Sequence, residues 1–255
     1  MPSSPDRPRK LRLDVALVDR QLVESRERAQ ALIIAGKVTV DGQAADKPGR
    51  AIRENARIEV EQPLKYVSRG GLKLEAALQA FAVSVQDKIC LDIGTSTGGF
   101  TDCLLQHGAK RVHAVDTGAG QIHWKLRTDP RVVLHENLNA RYLAPEDIGE
   151  MADVIVCDVS FISMTLLIPA LERLLTPDGV WIILVKPQFE AGREFVGKGG
   201  IVRDMAAHAA ACERVAVALQ ERGFSTRYID SPILGAEGNR EFLMEARRKH
   251  EQLSA

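Results

Sequence analysis

The stretch Leu91-Asp92-Ile93-Gly94-Thr95-Ser96-Thr97-Gly98-Gly99-Phe100 holds the strongest local chemistry in the sequence. An apolar run leads into closely spaced glycines, which let a backbone turn sharply and approach a ligand. The next apolar run ends at Asp116, where a carboxylate suits ribose hydroxyls. A glycine loop of this kind is also compatible with a nicotinamide-binding fold. Two features favour S-adenosylmethionine. The glycines follow G-x-x-x-G-G, not G-x-G-x-x-G, and Asp92 stands just before them. That carboxylate suits a cofactor carrying an ammonium and a sulfonium and no pyrophosphate to repel. Asp92, Gly94, Gly98, Gly99, Phe100 and Asp116 are therefore the candidate cofactor residues.

Two more apolar runs end in charge. Val156-Cys157-Asp158-Val159-Ser160-Phe161 delivers a carboxylate, and Ile183-Leu184-Val185-Lys186-Pro187-Gln188-Phe189 delivers an ammonium. A lone charge at such a place is often only the residue that reaches water. Opposite charges ending consecutive strands in one half of a sheet point to a ligand crevice.

These residues need a frame to hold them. After a helical stretch over Leu72–Phe81, short apolar runs recur at Ile89–Ile93, Arg111–Val115, Val132–Leu134, Val154–Cys157, Val180–Val185, Ser225–Ile229 and Phe242–Glu245. Helical segments separate them. That alternation predicts an α/β doubly wound sheet, Rossmann-like, with ligands at the carboxyl ends of its strands. The loop Gly192–Asp204 contains Gly197-Lys198-Gly199-Gly200 with Arg193 and Arg203. It lacks the Lys-Ser/Thr pair and strand–helix context of a phosphate-binding P-loop, and a mobile lid is the expectation.

Ahead of this body lies a smaller piece. Leu13, Ala16, Leu17 and Val18 fall at helical spacing, Ser25 suits an N-cap, and Ala29, Leu32 and Ile33 share the next helical face. Gly36 closes that helix, Val38-Thr39-Val40 alternate as a strand, Asp41-Gly42 make a tight turn, and Ala56–Val60 can return as a partner strand. Over the whole chain, 34 basic side chains balance 34 acidic ones, but residues 1–73 hold 15 basic and 10 acidic groups. A basic module on an acidic body suggests nucleic acid. A boundary falls near Gln62-Pro63-Leu64-Lys65-Tyr66-Val67, which breaks periodicity.

Other classes are disfavoured. The hydrophobic runs are strand-length, far below the ~20 residues of a spanning helix. Arg7, Arg9, Lys10 and Arg12 precede no apolar run, so no signal peptide is read. Cys90, Cys103, Cys157 and Cys212 form no metal or redox spacing, nor do the six histidines, so no metal is expected. The cysteines read as small buried residues in a reducing cytoplasm.

The stretch from Ser25 through Gly42 resembles an RNA-binding module named after ribosomal small-subunit protein four. The likeness runs from Arg9 to Gln62 and implies phosphate contacts by Arg26, Arg28 and Lys37. The body resembles the FtsJ-like ribose methyltransferases, and the whole chain, from Arg9 to Ala246, resembles the TlyA (haemolysin A) family. The motifs are Val67-Ser68-Arg69-Gly70-Gly71-Leu72-Lys73-Leu74, the Asp92 loop, Asp158-Val159-Ser160-Phe161, Lys186-Pro187-Gln188-Phe189-Glu190 and Gly238-Asn239-Arg240-Glu241-Phe242. Thr97 departs from a proline common in that loop.

The resemblance implies a small α+β RNA-binding domain over 9–62, a linker over 63–67 and a methyltransferase domain over 68–248. It implies methylation of a cytidine ribose 2′-hydroxyl in ribosomal RNA, within ribosomal subunits, by Lys73, Asp158, Lys186 and Glu241. Lys186 then touches the 2′-oxygen, either accepting its proton in neutral form or stabilising the developing oxyanion, with Asp158 holding it. Lys73 and Glu241 complete the charge set. A non-catalytic RNA-binding protein and a membrane-lytic haemolysin are the competing readings.

Overall fold

The computed structural model describes residues 10–61 and 64–249. Arg7, Arg9, Gln62 and Pro63, which the sequence reading places in the basic start and at the module boundary, lie outside them. The chain divides into two compact units, 1–63 and 64–255.

In the first unit, helices Leu13–Asp19 and Arg26–Ile34 pack through Leu13, Leu17, Ala29 and Ile33 onto Val38 and Val40. The Ser25 side chain caps the second helix by accepting from the Arg28 amide at 3.2 Å. Asp41 and Gly42 both take positive φ, 51° and 78°, the mirror-image turn that joins Val38–Val40 to Gln43–Ala44. Ile58–Val60 flanks Val38–Val40 on its other side. A separate two-stranded pairing, Lys10–Arg12 with Ala51–Arg53, has no counterpart in the sequence reading. Both strands are three residues long and end in charge, so neither leaves an apolar run.

The second unit carries seven strands: β1 (Ile89–Ile93), β2 (Arg111–Val115), β3 (Val132–His135), β4 (Ala152–Cys157), β5 (Leu175–Val185), β6 (Phe224–Asp230) and β7 (Phe242–Arg248). They form one mixed sheet in the order β6-β7-β5-β4-β1-β2-β3, with β7 antiparallel to both of its neighbours. Side-chain alternation splits the core between two faces. Leu91 and Ile93 belong with helix α3 (Met205–Gln220), whereas Cys90 belongs with α1 (Gly70–Ala80) and α2 (Gly99–Gln106). The sheet is thus doubly wound.

The expected linker 63–67 is not all linker. Tyr66 is buried in the α1–α2 core, and Asp102 accepts from the Val67 amide at 2.8 Å. Gly71 is required beneath it, since any side chain there would run into the Tyr66 ring.

Candidate active site

Strand register explains how distant residues meet. Ile93 pairs with Val115 and with Cys157, Cys157 with Ile183, and Val185 with Phe242. Gly94, Asp116, Asp158 and Lys186 therefore lie just beyond the carboxyl ends of β1, β2, β4 and β5. Glu241 joins them from the opposite direction, because it precedes an antiparallel strand.

Two cavities open along this edge. One, of about 310 Å³, is lined by Lys73, Asp158, Ser160 and Lys186 together with the loop after β1. The other, of about 450 Å³, is lined by Asp116 and the apolar side chains of Leu138, Val159, Ile162 and Leu167. Gly94, Ser96, Asp158 and Ser160 line both, so the cavities share a wall.

Two ion pairs stand at the polar cavity, and three of their four side chains, Lys73, Asp158 and Lys186, line it. Lys186 Nζ lies 2.6 Å from Asp158 Oδ1 and donates to Ser160 Oγ at 3.0 Å. Lys73 Nζ, on α1, donates to Glu241 Oε2 at 2.5 Å in a nearly water-free setting. Gly235 makes room for that carboxylate, since a side chain at 235 would collide with it.

The glycine loop divides its duties. Gly94, at φ 83°, passes against the Asp158 carbonyl, and any side chain would block it. Gly98 starts α2 at φ 95° and packs on Leu126, and Gly99 packs on Ser68 and Gly70. These two glycines serve helix packing more than an open ligand face, although Gly99 and Phe100 still border the polar cavity.

Asp92 is fully buried and lines neither cavity. Thr101 donates to its Oδ2 at 2.6 Å, while Oδ1 has no partner. Burial pushes this carboxyl up to about 7, opposed by the Thr101 hydrogen bond. Asp116 receives the Ser96 amide at 2.7 Å and the Gly118 amide at 2.8 Å, one on each oxygen. Each oxygen keeps a second lone pair for a ligand.

Several residues at the site were not singled out from sequence. Ser160 binds the lysine. Phe161 is 91% exposed, takes φ 65°, and its ring lies 5.2 Å from that of Phe189. A bulky residue in that conformation is costly, and such strain gathers at ligand sites. Its motif was visible, but nothing in it signals the backbone conformation. The Gly192–Asp204 loop also differs from a free lid. Asn239, itself buried, donates to the Gly200 carbonyl and accepts from the Val202 amide, each at 3.0 Å.

In the first unit, Arg26 is not a free cation. Arg26 and Arg12 both donate to Asp14, at 2.9 and 3.0 Å, and Gln30 adds a bond at 3.1 Å. Asp14 is buried, and these donors, Arg12 foremost, hold its carboxyl well below the usual range. Lys37 pairs with Glu61 at 2.8 Å. Arg28 is exposed and makes no side-chain bond among the described residues.

Residues 66–248 match the family described as FtsJ-like methyltransferase, and residues 11–58 match the S4 domain. The chain belongs to the FtsJ-like methyltransferase family. YqxC of Bacillus subtilis, which carries an rRNA methyltransferase name, is 52% identical to it over 92% of this chain and 85% of its own. The 16S/23S rRNA (cytidine-2′-O)-methyltransferase TlyA of Mycobacterium tuberculosis is 46% identical over 92% and 89%. A solved structure carrying the hemolysin name, from Streptococcus thermophilus, matches with TM-score 0.72 and 46% identity over 95% of this chain and 89% of that one.

The methyl donor of this methyltransferase is S-adenosylmethionine, and the residues fit it. Behind the loop, the fully buried Asp92 keeps one oxygen unpartnered, and a cationic ligand nearby would favour its ionised form. The apolar cavity bordered by Asp116 suits a nucleoside, and Gly94 lies in the wall it shares with the polar cavity. Among the described residues, no helix is long and apolar enough to cross a membrane, and no cluster of acidic, His or Cys side chains could hold a metal ion.

Proposed function

We propose that this enzyme methylates the ribose 2′-hydroxyl of a cytidine in ribosomal RNA. One observation carries the choice of a hydroxyl acceptor. A polar cavity lined by the Lys186–Asp158 pair and by Lys73, whose carboxylate partner Glu241 is buried behind it, shares a wall with the apolar cavity that suits the nucleoside. The cofactor supplies a methyl group already activated on a sulfonium. The protein's own task is to place a weakly nucleophilic oxygen and manage one proton.

Lys186 is assigned to the 2′-oxygen. An ammonium has three donors, and Asp158 and Ser160 occupy two of them. The third is available to the ribose oxygen, where it stabilises negative charge as it develops. Asp158 fixes the lysine and offers an acceptor close to the departing proton. Lys73 borders the acceptor ribose, and its bond to the buried Glu241 holds the start of β7 against α1. The exposed Phe161 ring offers the target base a stacking surface beside this charge set.

The S4 unit is assigned to RNA affinity, with Arg28 its available phosphate cation. The ribosomal subunit is proposed as the natural substrate and the cytoplasm as the place of action, following the rRNA acceptor. Isolated small and large subunits, and RNA stripped from each, should be incubated with labelled S-adenosylmethionine. Positions resistant to alkaline cleavage should then be mapped. Label on an alkali-resistant cytidine supports the reading, and label on a base would discard the ribose while keeping the cofactor site.

A further inference from the structure

The loop after β4 and the turn after β5 are joined at three places, and the third involves a residue the mechanism above does not use. Lys186 binds Asp158 and Ser160 at the first. Phe189 meets Phe161 at the second, with ring centroids 5.2 Å apart. At the third, Glu190 accepts from the Ser163 hydroxyl through Oε2 and from the Met164 amide through Oε1, both at 2.6 Å. Ser163 Oγ lies 2.8 Å from Thr165 Oγ1, which extends the network along the loop.

Glu190 is 3% exposed, and no cation forms an ion pair with it among the described residues. Burying a carboxyl whose direct hydrogen-bond donors are all neutral is expensive. Burial pushes its titration upward, opposed by the Ser163 and Met164 hydrogen bonds and by the charge of Arg214. A buried acid of this kind fixes geometry, because each oxygen accepts one directed bond from the facing loop. That loop carries Asp158 at one end and the strained Phe161 in its middle, so its conformation sets the place of both.

We infer that Glu190 is a positioning residue for methyl transfer, holding the Asp158–Met164 loop so that Asp158 and Phe161 face the acceptor beside Lys186. The inference rests on the proposed methyl transfer to RNA. It predicts an asymmetry between two substitutions. Glu190→Gln keeps an acceptor for the Met164 amide and gives Ser163 a donor in place of an acceptor. Glu190→Ala removes both bonds.

The test is single-turnover methylation at saturating cofactor and RNA, alongside amide exchange of the loop in the protein alone. Glu190→Ala should slow transfer by about tenfold to a hundredfold, as small misplacements of reacting groups do. Glu190→Gln should stay within a few-fold of the parent. Exchange at the Met164 amide should rise in the alanine variant and not in the glutamine variant. Ser163→Ala, which leaves Glu190 in place, should give a smaller loss in the same rate and serves if Glu190→Ala does not fold.

Parent-like transfer by Glu190→Ala, or equal losses in both Glu190 variants that track melting temperature, would overturn the inference. A parent protein that methylates no RNA would instead overturn the proposed reaction. Amide exchange still reads the loop tether in that case: an unprotected Met164 amide in the parent would sink it as well.

Discussion

Lys73 Nζ and Glu241 Oε2 meet at 2.5 Å across 168 residues of sequence. The pair exists because β7 runs antiparallel to β5, which brings the residue before β7 to the edge where α1 begins. Both side chains are almost fully buried, and each is the other's ion-pair partner. Glu241→Ala should cost about 3–5 kcal/mol of stability by leaving an unpaired buried ammonium. The double substitution Lys73→Met with Glu241→Leu should recover most of that stability in denaturant unfolding, yet no methyl transfer. A double variant that transfers methyl at the parent rate would make the pair purely structural.

Lys186→Ala should lower the transfer rate by at least about a hundredfold, the usual loss when a donor to a developing oxyanion is removed. RNA affinity and melting temperature should change little. Lys186→Arg should also be poor, because a guanidinium cannot reproduce the Nζ contacts with Asp158 and Ser160. Asp158→Ala should be at least as damaging, since it releases the lysine. Rates come from labelled-methyl incorporation, with ribose-methylated product verified by digestion.

Much of this frame was legible in the sequence. All seven strands follow from short apolar runs, and four of them end in the residues expected at the site. The order of the strands was not legible, nor was the reversal of β7. Those depend on which buried faces pack together, information no local run contains. Glu241 could be nominated only by family resemblance, because nothing near it in sequence marks Lys73 as its partner. The two expected phosphate cations Arg26 and Lys37 turn out to be ion-paired, for the same reason. Their partners Asp14 and Glu61 are brought to them by the fold of the first unit.

That difference separates two arginines experimentally. Arg28→Glu should weaken RNA binding and reduce the slope of log affinity against log salt by about one, with melting unchanged. Arg26→Glu places a carboxylate beside buried Asp14 and should destabilise the first unit. Because Asp14 is held below its ordinary range, its contribution is present above the unfolded value and disappears on acidification. The parent should therefore lose more stability toward low pH than an Asp14→Asn variant. Salt titrations and thermal melts of the full chain distinguish these effects.

Asp92 behaves in the opposite sense. Its carboxyl is pushed up to about 7 in the folded protein, so the native state holds a proton that the unfolded chain releases near pH 4. Stability without cofactor should therefore fall as pH rises from about 4 to about 7, then level off. A cofactor ammonium favours the ionised form, so binding at pH 6 should release most of one proton to the buffer. Calorimetry in buffers of different ionisation enthalpy measures this release. It should vanish in Asp92→Asn and at pH 8.5, and equal release by the Asn variant would assign the proton elsewhere.

The place of β7 between β5 and β6 has a consequence for how the enzyme is made. Among the described residues β6 pairs with no other strand, so during synthesis it waits without a neighbour until β7 has been made. Until then β5 also presents an open edge, and the carboxylate for Lys73 is missing. Lys73 therefore waits for its buried carboxylate partner until Phe242–Arg248 has been inserted beside Leu175–Val185.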